Sequence, residues 1–267
     1  MFPMKKIVFV FIALCFLESC STVPITGRKR LNFVSDAQVL PISFQQYTDF
    51  LKENKISKDK EKIRELNEIG KNISLAVDLF MRSNKMNQEA DSYKWEFNLI
   101  ENQQLNAWCL PGGKVVFYTG ILPVAKNRDG IAAIMGHEIA HAFAKHGQER
   151  MSSSQLQQLG GLAVDYGTRK KKEREQQIWN AAYGLGSKVS MLKFSRKHET
   201  EADKLGMVFM IMAGYNPEEA VNVWIRMSQL GTSKTPEFLS THPSNETRIQ
   251  TLKAFLPEAK SLAKKYS

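Results

Sequence analysis

The sequence predicts an α+β fold, mostly α-helical, with a small β-sheet placed ahead of one buried helix. Three observations predict it. Ile56, Ile63, Leu66, Ile69, Ile73 and Val77 recur at helix-like spacing among charged residues. Trp95, Phe97 and Leu99 then alternate with polar partners, the period of a half-buried strand. Beyond residue 130 the helical spacing returns, through Ile131, Ile134, Met135, Ile139, Ala142 and Phe143.

Taken in order, residues 1–19 have the make-up of an export signal. Lys5 and Lys6 precede an apolar run over 7–17 that is short for a membrane span. Leu17-Glu18-Ser19-Cys20 then resembles a bacterial lipobox, with Glu18 atypical, which makes Cys20 the expected site of lipidation and the first mature residue. Residues 20–40 are expected to form an extended polar tether, and residues 41–267 one folded domain. Residues 41–90 read as helical. Candidate strands cover 95–99, 106–110 and 114–119, with Pro111-Gly112-Gly113 as a turn. Asp129 is the expected cap of a helix over 131–151. Residues 152–190 are rich in Ser, Gln and Gly, with helical stretches between. A further helix is expected over 194–213, stopped by Gly214, with Pro217 starting the next.

Composition narrows the classes. With 43% hydrophobic residues the chain can bury a proper core. The formal charge of +10 favours anionic surfaces such as lipid headgroups. Basic and aromatic residues are not interleaved in a stripe, and the densest basic run, at 169–172, has acidic neighbours, so no nucleic-acid partner is expected. Cys15 lies within the signal and Cys20 is reserved for lipid. Only Cys109 remains, and a disulfide framework is excluded.

The chemistry is concentrated in His137-Glu138-Ile139-Ala140-His141. Residues four apart share one helix face, so both imidazoles can bind one Zn²⁺, with Glu138 beside the open position to take a proton from water. Burial of this helix argues against two idle surface histidines, because buried polar groups need partners. A catalytic zinc takes a third protein ligand. Candidates lie in His198-Glu199-Thr200-Glu201-Ala202-Asp203, where Glu199 and Asp203 share a face, Glu201 turns away and His198 is a rival. His146, five residues past His141 and about 140° around a continuous helix, is read as structural.

These two motifs together resemble the HtpX and CAAX prenyl protease group of zinc metallopeptidases (gluzincins), especially its periplasmic lipoprotein branch typified by BepA and LoiP. The resemblance spans most of residues 22–255. It implies a zincin-like domain holding one Zn²⁺ through His137, His141 and Glu199, supported by Asp203, with His198 and Glu201 as bystanders. Asn106-Ala107-Trp108-Cys109 resembles the family strand whose edge pairs with extended substrate, which implies contacts at Asn106 and Ala107. Thr241-His242-Pro243 with Arg248 resembles a late family segment. It implies that His242 and Arg248 stabilise the oxyanion, or that His242 gates the metal. Pro24-Ile25-Thr26-Gly27-Arg28 resembles the mature start of the lipoprotein members.

The expected function is a membrane-anchored zinc endopeptidase acting on periplasmic or outer-membrane proteins, misfolded or unassembled ones above all. The expected location is the bacterial cell envelope, on the outer membrane and facing the periplasm, with outer-membrane assembly machinery as a partner. The alternative is a chaperone or assembly factor that uses the same cleft without cleavage.

Overall fold

The computed structural model describes residues 20–31, 33–168, 173, 195–230, 238–239, 242 and 246–266. The expected signal at 1–19 lies outside them, as do Thr241, Pro243 and most of 169–194. Strands β1 (Cys20–Thr22) and β2 (Lys29–Leu31) lead into helices α1 (Asp36–Glu53), α2 (Lys60–Ser83) and α3 (Asn87–Ser92). Strands β3 (Glu96–Ile100), β4 (Ala107–Leu110) and β5 (Lys114–Tyr118) follow. Then come α4 (Leu122–Ala125), α5 (Arg128–Phe143), α6 (His146–Thr168), α7 (Arg196–Met212), α8 (Glu218–Ser228) and α9 (Glu246–Ala263). No helix among the described residues is long and apolar enough to cross a membrane. The mostly helical α+β class is as expected.

The chain divides into two compact units. One combines Met1–Val39 with Gly147–Leu192. Within it β1 and β2 pair antiparallel, Ser21 opposite Arg30. The Arg28 guanidinium grips both carboxylate oxygens of Glu149 at 2.9 and 2.8 Å. Ser152 Oγ accepts from the backbone N–H of Phe33 and Val34, each at 3.2 Å. Gln148 donates to Asp36 Oδ1 at 2.6 Å. The stretch 20–40, expected as an extended polar tether, instead holds a hairpin over 20–31 and the start of α1. Its polar side chains have partners distant in sequence, which spacing along the chain does not disclose.

The other unit is Leu40–His146 with Lys193–Ser267. Its three-stranded sheet has the order β3-β5-β4, with β3 parallel and β4 antiparallel to β5. The central position falls to β5 because Val115, Val116 and Phe117 are all fully buried, a continuous apolar run. Gly112 and Gly113, at φ +83° and +86°, make the tight return from β4. Packed on β3, α5 and α7, α2 buries Leu66, Ile69, Ile73, Val77 and Phe80, at 3–4-residue spacing. Ile56, read with that helix, instead bridges to Ile100 outside it. Phe80, Phe143 and Phe209, one each from α2, α5 and α7, meet edge to face at 5.2–5.7 Å.

The helix carrying H-E-x-x-H departs from expectation at both ends. Its cap is Asn127, which accepts from Gly130 N–H at 2.8 Å, while Asp129 accepts from Asn216 N–H at 2.9 Å. It stops at Phe143, and Lys145 takes a left-handed φ of +57°. The expected single helix over 131–151 is thus two helices with a turn at 144–145.

α5 and α7 cross where glycine faces glycine. A Cβ on Gly206 would lie 2.7 Å from Gly136 C and from His137 N, and one on Gly136 would lie 2.8 Å from Gly206 O. Only backbone meets backbone there, so neither side can yield by a rotamer change. Gly206→Ala should therefore cost about 1–3 kcal/mol as overpacking. Urea unfolding measures this, and an unchanged midpoint would show that the crossing tolerates a methyl group.

Candidate metal centre

α5 is buried almost throughout, and His137, Glu138 and His141 sit on it at 3%, 3% and 4% exposure. From α7, whose N-cap Ser195 accepts from His198 N–H, Glu199 and Asp203 rise on one face toward them. The glycine crossing lets the two helices approach closely enough for their side chains to meet.

The geometry has a clear order. His137 Nε2 and His141 Nε2 lie 3.1 Å apart. Glu199 Oε1 is 3.3 Å from His141 Nε2, and its Oε2 is 3.5 Å from His137 Nε2. The outer nitrogens are already engaged. His137 Nδ1 is 3.0 Å from Asp203 Oδ1, and His141 Nδ1 is 2.8 Å from His146 Nδ1. The Asp203 carboxylate accepts, which puts the His137 proton on Nδ1 and turns its Nε2 lone pair inward, while the imidazole at His141 Nδ1 can stand as donor or acceptor. Two imidazole nitrogens and a carboxylate converging within a few ångströms form a set that could hold a metal ion. His242 adds a fourth donor: Nδ1 is 3.1 Å from Glu199 Oε1 and 3.3 Å from His137 Nε2. Donor atoms of His137, His141, Glu199 and His242 all lie within 4.8 Å of one another.

Electrostatics agree with a divalent ion. Glu138, Glu199, Glu201 and Asp203 are buried carboxylates, and the Arg248 guanidinium pairs with Glu199 and Asp203. Burial pushes Glu138 up to about 7, with His242 opposing and Glu199 adding to the shift. Burial drives His141 well below its ordinary value, the neutral form a metal needs. Burial would lower His137 too, but Asp203 and Glu199 outweigh it, so the site draws in positive charge. Burial opposes ionisation of Asp203, yet Arg248 keeps it below the usual carboxylate range. Glu138 Oε1 is buried without a hydrogen-bond partner, and His242 Nε2 stands 3.6 Å from it. Nitrogen and carboxylate donors of this kind suit zinc, and the site fits one Zn²⁺ per chain.

Other residues stand differently from their sequence reading. Arg248, read as an oxyanion group, gives Nε at 2.5 Å and Nη2 at 2.7 Å to Asp203, and Nη1 at 2.9 Å to Glu199. Its guanidinium also covers the Trp224 ring at 3.4 Å. A fork so engaged holds these two carboxylates in place rather than offering itself to substrate. Glu201, read as a bystander, is buried and lies 2.8 Å from His146 Nε2, while His198 stacks on the His146 ring at 4.4 Å. His146 itself, predicted to point away, reaches His141 because the turn at 144–145 resets the helical phase. The sequence offers one hint at that turn, Gly147 two residues on. Asn106 precedes β4 and its carbonyl accepts from Tyr118 N–H at 3.1 Å; Ala107 is buried on β4. β4 is an edge of its sheet.

Known proteins supply an independent comparison. The model of peptidase family M48 matches residues 71–256. The mitochondrial metalloendopeptidase OMA1 of Schizosaccharomyces pombe is 37% identical over 174 residues, 62% of this chain and 48% of the relative. The human metalloendopeptidase OMA1 is 27% identical over 244 residues, 88% of this chain and 46% of the relative. The β-barrel assembly-enhancing protease of Escherichia coli K12 is 28% identical over 171 residues, 60% of this chain and 34% of the relative. The chain spans about half the length, or less, of the curated relatives it matches.

Proposed function

Because this chain belongs to peptidase family M48, we propose that it is a zinc-dependent endopeptidase with Glu138 as general base. The observation that carries this reading is the convergence of His137 Nε2, His141 Nε2 and Glu199 beside a buried, unbonded Glu138 oxygen. A zinc ion held by those three residues would supply Lewis acidity to the attacking water and the scissile carbonyl. Glu138 Oε1 takes the proton of that water and returns it to the leaving amine. Asp203 fixes the orientation of His137, and Arg248 fixes Asp203 and Glu199. An extended substrate adds to the free edge of β4. Ala107 contributes only backbone there, since its side chain is buried, and Asn106 stands where the strand begins. His242 closes the donor set at rest and withdraws to admit substrate, where it can donate to the oxyanion.

The finer placement belongs to the same proposal. A lipid on Cys20 holds the enzyme at the outer membrane facing the periplasm, a reading supported by the sequence of residues 1–20. Misfolded or unassembled envelope proteins are the substrates and outer-membrane assembly machinery a partner. The name and 28% identity of the Escherichia coli relative support that choice.

The test is zinc content and casein cleavage by the purified chain, before and after a zinc chelator. One zinc per chain, with cleavage abolished by chelation and restored by zinc, is the expected result. Zinc without cleavage would turn the reading toward a binding role, and absence of zinc would end it.

A further inference from the structure

The two helix α5 histidines are supported unequally. His137 leans directly on a carboxylate, Asp203, at 3.0 Å. At His141 Nδ1 stands an imidazole, His146, at 2.8 Å, and Glu201 stands 2.8 Å behind His146. His146 is fully buried and Glu201 is 3% exposed. An apolar pair of similar volume would serve stability as well or better than a buried ionisable pair. The polar pair instead ends on the outward nitrogen of a proposed metal ligand.

We infer that His146 and Glu201 are positioning residues that act together, a two-step support fixing the tautomer and direction of His141. The direction of donation follows from the terminal carboxylate, which can only accept. His146 Nε2–H donates to Glu201 Oε2, which leaves His146 Nδ1 bare. His141 Nδ1–H then donates to that lone pair, which leaves His141 Nε2 bare and facing Glu199. Reversal at either ring would place a proton on the nitrogen the metal needs. His198, stacked on His146, keeps that ring in plane. Neither role is visible in a continuous helix, where His146 turns away from His141. This inference rests on the zinc reading of the site.

The experiment is zinc affinity by chelator competition on the full chain, for wild type, His146→Phe and His146→Asn, with circular dichroism to follow the fold. Phe keeps the ring and loses the acceptor. Asn puts an amide oxygen near the place of Nδ1. His146→Phe should bind zinc about 10–100-fold more weakly, and Asn should recover much of the loss. A folded His146→Phe chain with unchanged zinc affinity would overturn the inference while leaving the zinc reading intact. Wild type without zinc would overturn both. Should His146→Phe fail to fold, the imidazole nitrogen spectrum of zinc-loaded wild type decides. A proton on His146 Nε2 with Nδ1 bare supports the relay, and a proton on Nδ1 defeats it.

Discussion

Glu138→Gln should lower casein cleavage by about 10²–10⁴-fold while zinc content stays at the wild-type level. Gln has the same shape as Glu, so the packing of α5 is undisturbed. What it lacks is a basic oxygen. In the wild type that oxygen is buried, accepts no hydrogen bond and lies on the helix that also carries His137 and His141. A carboxylate kept unbonded in a low-dielectric site is costly unless a reacting group bonds to it transiently. Parallel measurement of zinc and cleavage separates the possibilities. Loss of both would make Glu138 a structural member of the site, and retention of both would remove it from the mechanism.

Arg248→Leu should destabilise the protein by about 3–5 kcal/mol, because it leaves buried carboxylates without their counter-charge. Asp203 loses both of its guanidinium bonds and Glu199 loses one. Leu keeps the apolar stem but not the guanidinium over Trp224, so the loss combines the missing counter-charge with a lost ring contact. Arg248→Lys should fall between, retaining the charge but not the planar fork that bonds Asp203 twice. Urea unfolding of the three proteins provides the measurement. A loss under about 1 kcal/mol for Arg248→Leu would mean that these carboxylates take up protons or water instead, and that Arg248 does not hold them.

The value of the crossing glycines lies in where they stand. Gly136 precedes His137, and Gly206 is three residues beyond Asp203 on α7. Spreading the helices by a few tenths of an ångström would move nitrogen and carboxylate donors apart together, so zinc affinity in Gly206→Ala should fall along with stability.

Much of this centre was readable in the chain. Helical spacing alone puts His137 with His141, and Glu199 with Asp203, because four residues is close to one turn wherever the helix lies. Alternation at Trp95, Phe97 and Leu99 marks a strand for the same local reason. The resemblance joined the two motifs and brought in His242 and Arg248, whose loop and helix lie 105 and 111 residues beyond His137.

What required the tertiary structure has a common cause: each such feature depends on partners distant in sequence or on one backbone angle. Sequence order lists β3, β4 and β5, but burial on both sides makes β5 the centre. The hairpin at 20–31 is held by Glu149, and the residues just after it by Ser152, each across more than a hundred residues. Lys145 at φ +57° breaks a helix that periodicity continues, and that one dihedral turns His146 from a remote side chain into a neighbour of His141. Local periodicity by itself determined which residues can share a face. Which faces meet, and which buried charges answer one another across them, was decided only by the packing of α5 and α9 against α7, because side-chain contact depends on distance in space and spacing along a chain does not encode it.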